Sequence, residues 1–122
     1  MHELAICQSL LREVQRVAAR NDASEVVRIG VVVGPLSGVE APLLERAFTL
    51  ARCGTIAANA TLEIEEAPLT VWCESCGVES QVAMNALLCG RCGTWKVDLR
   101  SGNELLLKQV ELSRDETAGA TG

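Results

Sequence analysis

The chain of 122 residues is long enough for one ordinary domain, or for a small domain that carries a still smaller one. Its apolar fraction of 48% is mostly aliphatic, since Phe48, Trp72 and Trp95 are its only aromatic residues. The net charge of −5 argues against binding driven by nucleic-acid phosphates, and no apolar run approaches the roughly 20 residues that cross a bilayer.

Apolar residues at spacings of three and four predict a first helix that ends near Asn21. Its stripe consists of Leu4, Cys7, Leu10, Leu11, Val14, Val17 and Ala18. The β-branched run Val26–Val33 then predicts a strand that is buried on both faces. After a turn at Gly34–Gly38, a second apolar stripe predicts a helix that begins near Ala41 and fades by Gly54.

Two further strands flank the cysteine-rich part of the chain. Alternating apolar and acidic residues predict a strand over about Thr61–Ala67. A third strand is predicted over Glu104–Leu112, where the apolar parity changes partway along. This change implies either a bulge or burial on both faces of the strand.

Four of the six cysteines form two Cys-x-x-Cys-Gly knuckles, Cys73/Cys76 and Cys89/Cys92, with twelve residues between them. The glycine after each pair permits the positive φ that such a turn often needs. Together the thiolates complete a closed tetrahedral shell, which suits a structural Zn²⁺ ion. Because a segment of about 30 residues buries too little apolar surface to fold alone, we expect the metal to supply much of its stability.

Other interpretations of the cysteines remain open. Two dithiol pairs can act as redox switches, and a rubredoxin-like iron site uses the same four ligands. Zinc ribbons also bind nucleic acid, although residues 69–100 carry balanced charges that suit phosphates poorly. Cys7 on the first stripe and Cys53 at the end of the second helix are expected to be small buried hydrophobes.

The single histidine stands at position 2, where it can form fused chelate rings. The Met1 amine, the His2 backbone nitrogen and the His2 imidazole can bind one ion, with the amide nitrogen or carboxylate of Glu3 as a fourth donor. A planar, nitrogen-rich set of this kind suits Ni²⁺ or Cu²⁺. Because a backbone nitrogen must lose its proton to bind, we expect such a site to weaken as the pH falls. Taken alone, a chance Met-His-Glu sequence remains possible.

Three separated motifs follow one another along residues 1–112. They are Met1-His2-Glu3-Leu4 at a helix start, Gly34-Pro35-Leu36-Ser37-Gly38-Val39-Glu40, and the two cysteine knuckles before a final strand. In this arrangement the chain resembles the HypA/HybF family of nickel-insertion accessory proteins for NiFe-hydrogenase maturation, some of which also serve urease.

The resemblance implies a function and a set of ligands. It implies that Ni²⁺ binds Met1, His2 and Glu3, with Glu40 close to the ion, and that Zn²⁺ binds Cys73, Cys76, Cys89 and Cys92. It also implies a HypB-type GTPase and the hydrogenase large-subunit precursor as partners, and leaves both a monomer and a homodimer open. Some members have histidines beside their zinc cysteines, whereas this chain has none there.

We therefore expect a cytoplasmic nickel metallochaperone rather than an enzyme, with no nucleic-acid or membrane partner. No signal-peptide pattern is present, and there is no phosphate-binding P-loop sequence, so nucleotide hydrolysis would belong to a partner. One alternative is a zinc-ribbon module that binds protein or RNA and has no nickel role. The other is a thiol-redox enzyme.

The expected fold class is α+β, with two helices packed on a three-stranded sheet and an inserted zinc-ribbon-like β domain. The predicted divisions are a nickel-binding α/β domain at residues 1–67 plus 102–112, an inserted zinc-binding domain at 68–101, and a disordered tail at 113–122.

Overall fold

The computed structural model describes residues 2–114, so Met1 and most of the predicted tail, residues 115–122, lie outside the described part. The elements are α1 His2–Arg20, β1 Glu25–Val33, α2 Ala41–Ala51, β2 Thr61–Glu66, β3 Thr70–Cys73, β4 Val78–Gln81, β5 Asp98–Ser101 and β6 Leu105–Ser113. The strands form two three-stranded sheets, in the orders β2-β1-β6 and β4-β3-β5. The predicted α+β architecture is confirmed. Neither described helix has the length and apolar character needed to cross a membrane.

Contacts divide the described chain into two compact units. The helical unit comprises residues 2–31, 40–64 and 107–114, and the cysteine unit comprises residues 32–39 and 65–106. Because these units are defined by contacts and not by independent folding, the domain boundaries expected from the sequence stay a prediction.

The helical unit is built around aliphatic side chains from both helices and the strands. α1 buries Cys7, Leu11, Val14 and Ala18, which are spaced by three or four residues and so share one face. α2 has proline in its first turn, where the missing N–H removes no helical hydrogen bond. It buries Leu44, Ala47 and Phe48. α2 links β1 to β2, and β6 completes the sheet on the other side of β1.

The predicted burial of β1 on both faces is wrong. Ile29, Val31 and Val33 share one face and are buried, whereas on the opposite face Arg28 is exposed and Val32 is only partly buried. The guanidinium of Arg28 lies 3.3 Å from Glu63 Oε1 on β2 and 3.6 Å from Glu111 Oε2 on β6. One face of the strand therefore carries cross-strand ion pairs, a placement that the β-branched composition does not reveal.

The two outer strands behave as their sequences predict. On β2, Leu62 and Ile64 are partly buried while the residues between and after them are exposed. On β6, the less exposed positions change parity between Leu107 and Val110, where Lys108 and Gln109 are both exposed. The predicted parity change is therefore present in the structure.

Within the cysteine unit, the Gly34–Gly38 turn is packed against the chain that returns from the cysteine region. A Cβ on Gly34 would overlap the carbonyl group of Gly102, so only glycine fits this approach. The N–H of Gly34 donates to the carbonyl of Glu104 at 2.8 Å, and the N–H of Leu36 donates to that of Gly102 at 2.6 Å. The turn is thus a packed structural element of this unit.

Candidate metal sites

The first cysteine knuckle lies at the end of a hairpin. β3 pairs antiparallel with β4, and Cys73 lies opposite Val78 at the end of the ladder. Gly77 has φ +65°, and its N–H donates to the carbonyl of Cys73 at 2.8 Å. The tight turn that carries Cys76 therefore has the geometry that the Cys-x-x-Cys-Gly pattern predicts.

The second knuckle repeats this arrangement in a segment without regular strands. The N–H of Gly93 donates to the carbonyl of Cys89 at 2.9 Å, and Gly93 has φ +74°. The N–H of Cys89 donates in turn to the carbonyl of Thr94 at 2.9 Å. Cys92 is carried by the turn that these bonds close.

The four sulfur atoms come together as one cluster, with every pair within 4.8 Å. The sulfurs of Cys73 and Cys92 are 3.8 Å apart. Four sulfurs at about 2.3 Å from one zinc ion would lie about 3.8 Å from one another, so the cluster fits a tetrahedral site. Cys73 and Cys89 are buried, and all four thiols are free of disulfides. The cluster has the donors and the spacing that Zn²⁺ requires.

Backbone N–H groups point at the sulfurs. Cys73 Sγ accepts the N–H of Cys76 at 3.4 Å, while Cys89 Sγ accepts those of Arg91 at 3.3 Å and Cys92 at 3.4 Å. The N–H groups of Cys92 and Arg91 lower the pKa of the Cys89 thiol to about 6. A hydrogen bond with the Cys92 thiol, together with burial, raises the pKa of Cys76 to about 12. The backbone is thus arranged to stabilise thiolate at Cys89.

The second candidate site is at the start of α1. His2 is the first residue of this helix, and its side chain is 61% exposed. Its Nδ1 atom lies 3.6 Å from Oε2 of Glu3, whose side chain is only 13% exposed. The structure thus brings an open imidazole together with a largely covered carboxylate. Met1, the remaining predicted ligand of this segment, lies outside the described residues.

Glu40 comes close to this segment through its backbone. It caps the start of α2 with an extended conformation, and its side chain makes no capping hydrogen bond. The pKa of the Glu3 carboxyl is lowered by its own backbone N–H, and further by the N–H of Glu40 and by His2. Glu3 therefore stays charged beside His2, and the exposed Glu40 side chain is not used by the helix cap.

The two remaining cysteines differ from one another. Cys7 is 1% exposed and its thiol donates to the carbonyl of Leu44 at 3.4 Å, so its predicted burial is confirmed. Burial, followed by the charge of Glu3, raises the pKa of Cys7 to about 11. The predicted burial of Cys53 is wrong, because α2 ends at Ala51 and Cys53 lies exposed in the turn that follows.

One contact at the cysteine cluster is missed by sequence reasoning. The hydroxyl of Ser80 on β4 accepts the N–H of Gly90 at 2.9 Å. No spacing rule relates position 80 to the second knuckle, because the contact depends on the register between β3 and β4. The feature of the sequence that comes closest to indicating this contact is the glycine at position 90, inside the Cys89–Cys92 knuckle.

Comparison with known proteins identifies the family. Residues 1–112 match the family model described as "Hydrogenase/urease nickel incorporation, metallochaperone, hypA". A hydrogenase maturation factor HypA of Nitrosospira multiformis is 48% identical over 112 residues, which cover 92% of this chain and 97% of that protein. A HypA of Aquifex aeolicus is 41% identical over 115 residues, which cover 94% of this chain and 100% of that protein.

Solved structures share the fold. The solution structure of a HypA protein has a TM-score of 0.70 at 26% identity and covers 92% of this chain and 96% of its own. The solution structure of the Ni metallochaperone HypA from Helicobacter pylori has a TM-score of 0.68 at 24% identity, covering 93% and 98%. With the family match over residues 1–112 and relatives up to 48% identical, this chain belongs to the HypA family of hydrogenase/urease nickel-incorporation metallochaperones.

Proposed function

We propose that this chain binds Ni²⁺ at its amino-terminal Met1-His2-Glu3 segment and delivers it to the large-subunit precursor of a NiFe-hydrogenase. The family description also names urease, so a urease apoprotein is a second candidate recipient. The observation that supports the proposal is the position of His2 at the first residue of α1, exposed and beside the charged carboxylate of Glu3.

The start of a helix favours backbone ligation. The first four N–H groups of an α-helix have no intrahelical acceptor, so the His2 nitrogen can exchange its proton for a metal without breaking a helical hydrogen bond. The Met1 amine and the His2 imidazole complete two chelate rings with this nitrogen. Because the imidazole is 61% exposed, an acceptor protein can reach the bound ion.

The two nearby carboxylates provide negative charge for the cation. Oε2 of Glu3 is 3.6 Å from Nδ1 of His2, close enough for both atoms to approach one ion after a small shift. Glu40 places its exposed side chain at the start of α2, and its backbone N–H interacts with the Glu3 carboxylate. We assign Glu3 to the coordination set and Glu40 to its immediate surroundings.

The four-cysteine cluster is proposed to hold Zn²⁺ and to stay loaded while nickel is exchanged. Its sulfurs fit one tetrahedral ion, and a full set of four thiolates leaves no position for a further ligand. When bound, zinc supplies a cross-link between the two knuckles and no reaction. Cys73 and Cys89, both buried, shield the ion from exchange.

The proposed partners follow from what the chain lacks and from its family. Its sequence contains no P-loop, so a HypB-type GTPase would supply nucleotide hydrolysis, and the maturing enzyme precursor would receive the metal. We place this exchange in the cytoplasm and propose no nucleic-acid or membrane partner. A native mass spectrum with added nickel would decide between a monomer and a homodimer.

Isothermal titration with Ni²⁺ tests the nickel site. We expect His2→Ala to weaken binding at least about tenfold, because it removes a ring nitrogen from a chelate. A Gly-Ser extension ahead of Met1 should have a similar effect, because it removes the amine donor. Both proteins should keep their zinc and their circular dichroism spectrum.

A second pair of variants separates the carboxylates. Glu3→Gln should weaken nickel binding, whereas Glu13→Gln, which removes a carboxylate elsewhere on α1, should not. Equal nickel affinity of the wild type and His2→Ala would contradict the proposal. The chain would then act as a zinc-ribbon interaction module without a nickel role.

Native mass spectrometry with thiol alkylation tests the zinc assignment. We expect one zinc ion per chain and four thiols that resist alkylation until a chelator is added. Iron in place of zinc, or a reversible Cys73–Cys76 disulfide with the structure otherwise intact, would instead favour an electron-transfer or thiol-redox function.

A further inference from the structure

Ser80 lies on β4, outside both cysteine knuckles, yet its hydroxyl reaches the second one. The N–H of Gly90 donates to Ser80 Oγ at 2.9 Å, a contact between residues ten apart in sequence. Gly90 directly follows Cys89, one of the four clustered cysteines. The hydroxyl is therefore bonded to the peptide that leads out of a candidate zinc ligand.

The position of Ser80 is fixed by the ladder that also carries the first knuckle. Ser80 lies opposite Val71, and Cys73 lies opposite Val78, in the antiparallel pairing of β3 with β4. Ser80 and Cys73 thus belong to one short hairpin. The bond from Gly90 to Ser80 ties the second knuckle to the hairpin that presents the first.

The peptide between Cys89 and Gly90 is held at both of its polar groups. Its carbonyl, on Cys89, accepts the N–H of Gly93 at 2.9 Å, and its N–H, on Gly90, donates to Ser80. The next two N–H groups, of Arg91 and Cys92, point at Cys89 Sγ instead. Ser80 therefore holds the Gly90 end of this peptide from outside the knuckle, while Thr94 accepts the N–H of Cys89 on its other side.

The fit between Ser80 and Gly90 is close. A Cβ on Gly90 would lie 3.1 Å from Ser80 Oγ and 3.3 Å from Ser80 Cβ, which is tighter than most real contacts. Gly77 and Gly93 have positive φ, whereas Gly90 does not. A methyl group at position 90 would therefore require the Ser80 side chain to move by a few tenths of an ångström.

We propose that Ser80 is a positioning residue for the zinc site: its hydroxyl orients Cys89 and slows the loss of the metal. The inference rests on the zinc site proposed above. Groups that hold a metal ligand in place contribute to metal retention even though they do not touch the ion. Ser80 is not a ligand, because it acts through the backbone of Gly90.

The test measures the rate at which full-length, zinc-loaded protein releases zinc to an excess of a coloured chelator. Ser80→Ala should release zinc about three to ten times faster, which is the effect expected for one lost hydrogen bond. Ser80→Thr keeps a hydroxyl and should restore a rate near that of the wild type. Ser75→Ala is the matched control, because Ser75 lies exposed in the first knuckle and its hydroxyl makes no hydrogen bond among residues 2–114.

A second variant tests the same contact from the other side. Gly90→Ala should also accelerate release, because its methyl group pushes the Ser80 hydroxyl away from the N–H. In the Ser80→Ala background, Gly90→Ala should accelerate zinc release less than it does in the wild type, because the hydroxyl that it displaces is already absent. Gly90→Ala alone keeps the inference testable if Ser80→Ala fails to fold, and zinc release from Gly90→Ala at the rate of Ser75→Ala would then overturn it.

Cobalt substitution separates the inference from the zinc assignment. The visible bands of Co²⁺ in Ser80→Ala should remain those of four thiolates, so that only the release rate changes. If the wild type itself lacks these bands, the zinc assignment fails. If the bands are present but Ser80→Ala releases metal at the rate of Ser75→Ala, or Ser80→Thr releases it as fast as Ser80→Ala, the role of Ser80 is overturned.

Discussion

The helical unit and the cysteine unit are stabilised in different ways. The helical unit completely buries large aliphatic side chains such as Val14, Val26 and Leu44. The cysteine unit buries fewer apolar side chains, among them Leu69 and Val71 beside Cys73 and Cys89 of the cluster, while Met84 is 59% exposed and Trp95 is 73% exposed. Apolar burial stabilises a fold by about 25 cal/mol per Å² removed from water, so the cysteine unit obtains less from this source than the helical unit does. We infer that the helical unit is stabilised mainly by its core, whereas the cysteine unit depends in addition on the zinc ion proposed for its cluster.

The comparison predicts its largest effect when one zinc ligand is removed. Cys89→Ser should abolish the proposed zinc binding and expose the amides of β3, β4 and β5 to hydrogen exchange, because the ion would supply much of their stability. The amides of α1 and α2 should keep their protection. Mass-spectrometric hydrogen exchange on both proteins measures this difference segment by segment.

The matched control for this change is Cys53→Ser. Cys53 is exposed and lies outside the cluster, so neither unit should change its exchange pattern. Protection of the cysteine unit that survives in Cys89→Ser would show that apolar packing suffices there, and the contrast between the units would be lost.

The second largest effect is expected on lowering the pH, which should affect the cysteine unit more than the helical unit. Backbone N–H groups lower the pKa of Cys89 to about 6, so this thiolate stabilises the folded state fully above the ordinary thiol pKa and loses that contribution as the pH falls through about 6. Protons also compete with zinc for all four sulfurs. Zinc affinity should therefore fall about tenfold per pH unit for each proton that binding displaces.

The measurement is a competition titration for zinc between pH 8 and pH 5.5, with urea unfolding of the helical unit as its reference. The helical unit has no thiolate cluster among its described residues, so its unfolding midpoint should change far less. Zinc affinity that stays constant over this range would contradict thiolate ligation.

A core substitution should show the opposite pattern. Leu44 is fully buried, so Leu44→Ala should destabilise the helical unit by about 2–5 kcal/mol through lost burial and a residual cavity. Zinc content should not change. Leu50→Ala on the same helix is the control, because Leu50 is 72% exposed and its loss should cost less than about 0.5 kcal/mol. Urea unfolding followed by circular dichroism measures both, and equal midpoints for the two variants would contradict the assignment of this core.

The features that were predictable from the sequence are those encoded locally. The spacing of Cys7, Leu11 and Val14 specifies one helical face, and two Cys-x-x-Cys-Gly pairs specify two knuckles with positive-φ glycines. The parity change in β6 is likewise visible in its own residues. Each of these features depends on a few neighbouring positions, so it can be predicted from the sequence alone.

The features that were missed depend on distant parts of the chain. The exposed face of β1 arises because Arg28 lies between Glu63 and Glu111, which are contributed by two other strands. The bond from Gly90 to Ser80 depends on the register of a hairpin. A single sequence shows which residues are present but not which strand pairs with which, so these contacts could not be anticipated.

The smallest expected effect concerns this exposed face of the sheet. Arg28 is 45% exposed, and its partners Glu63 and Glu111 are 58% and 49% exposed, so water screens both ion pairs. Arg28→Ala should therefore destabilise the helical unit by less than about 1 kcal/mol, and less still at high salt. Arg28→Lys, which keeps the charge, is the control. Urea unfolding at low and high salt measures the effect. A loss as large as that of Leu44→Ala at low salt, which shrinks at high salt, would show that these ion pairs and not mainly burial stabilise this unit.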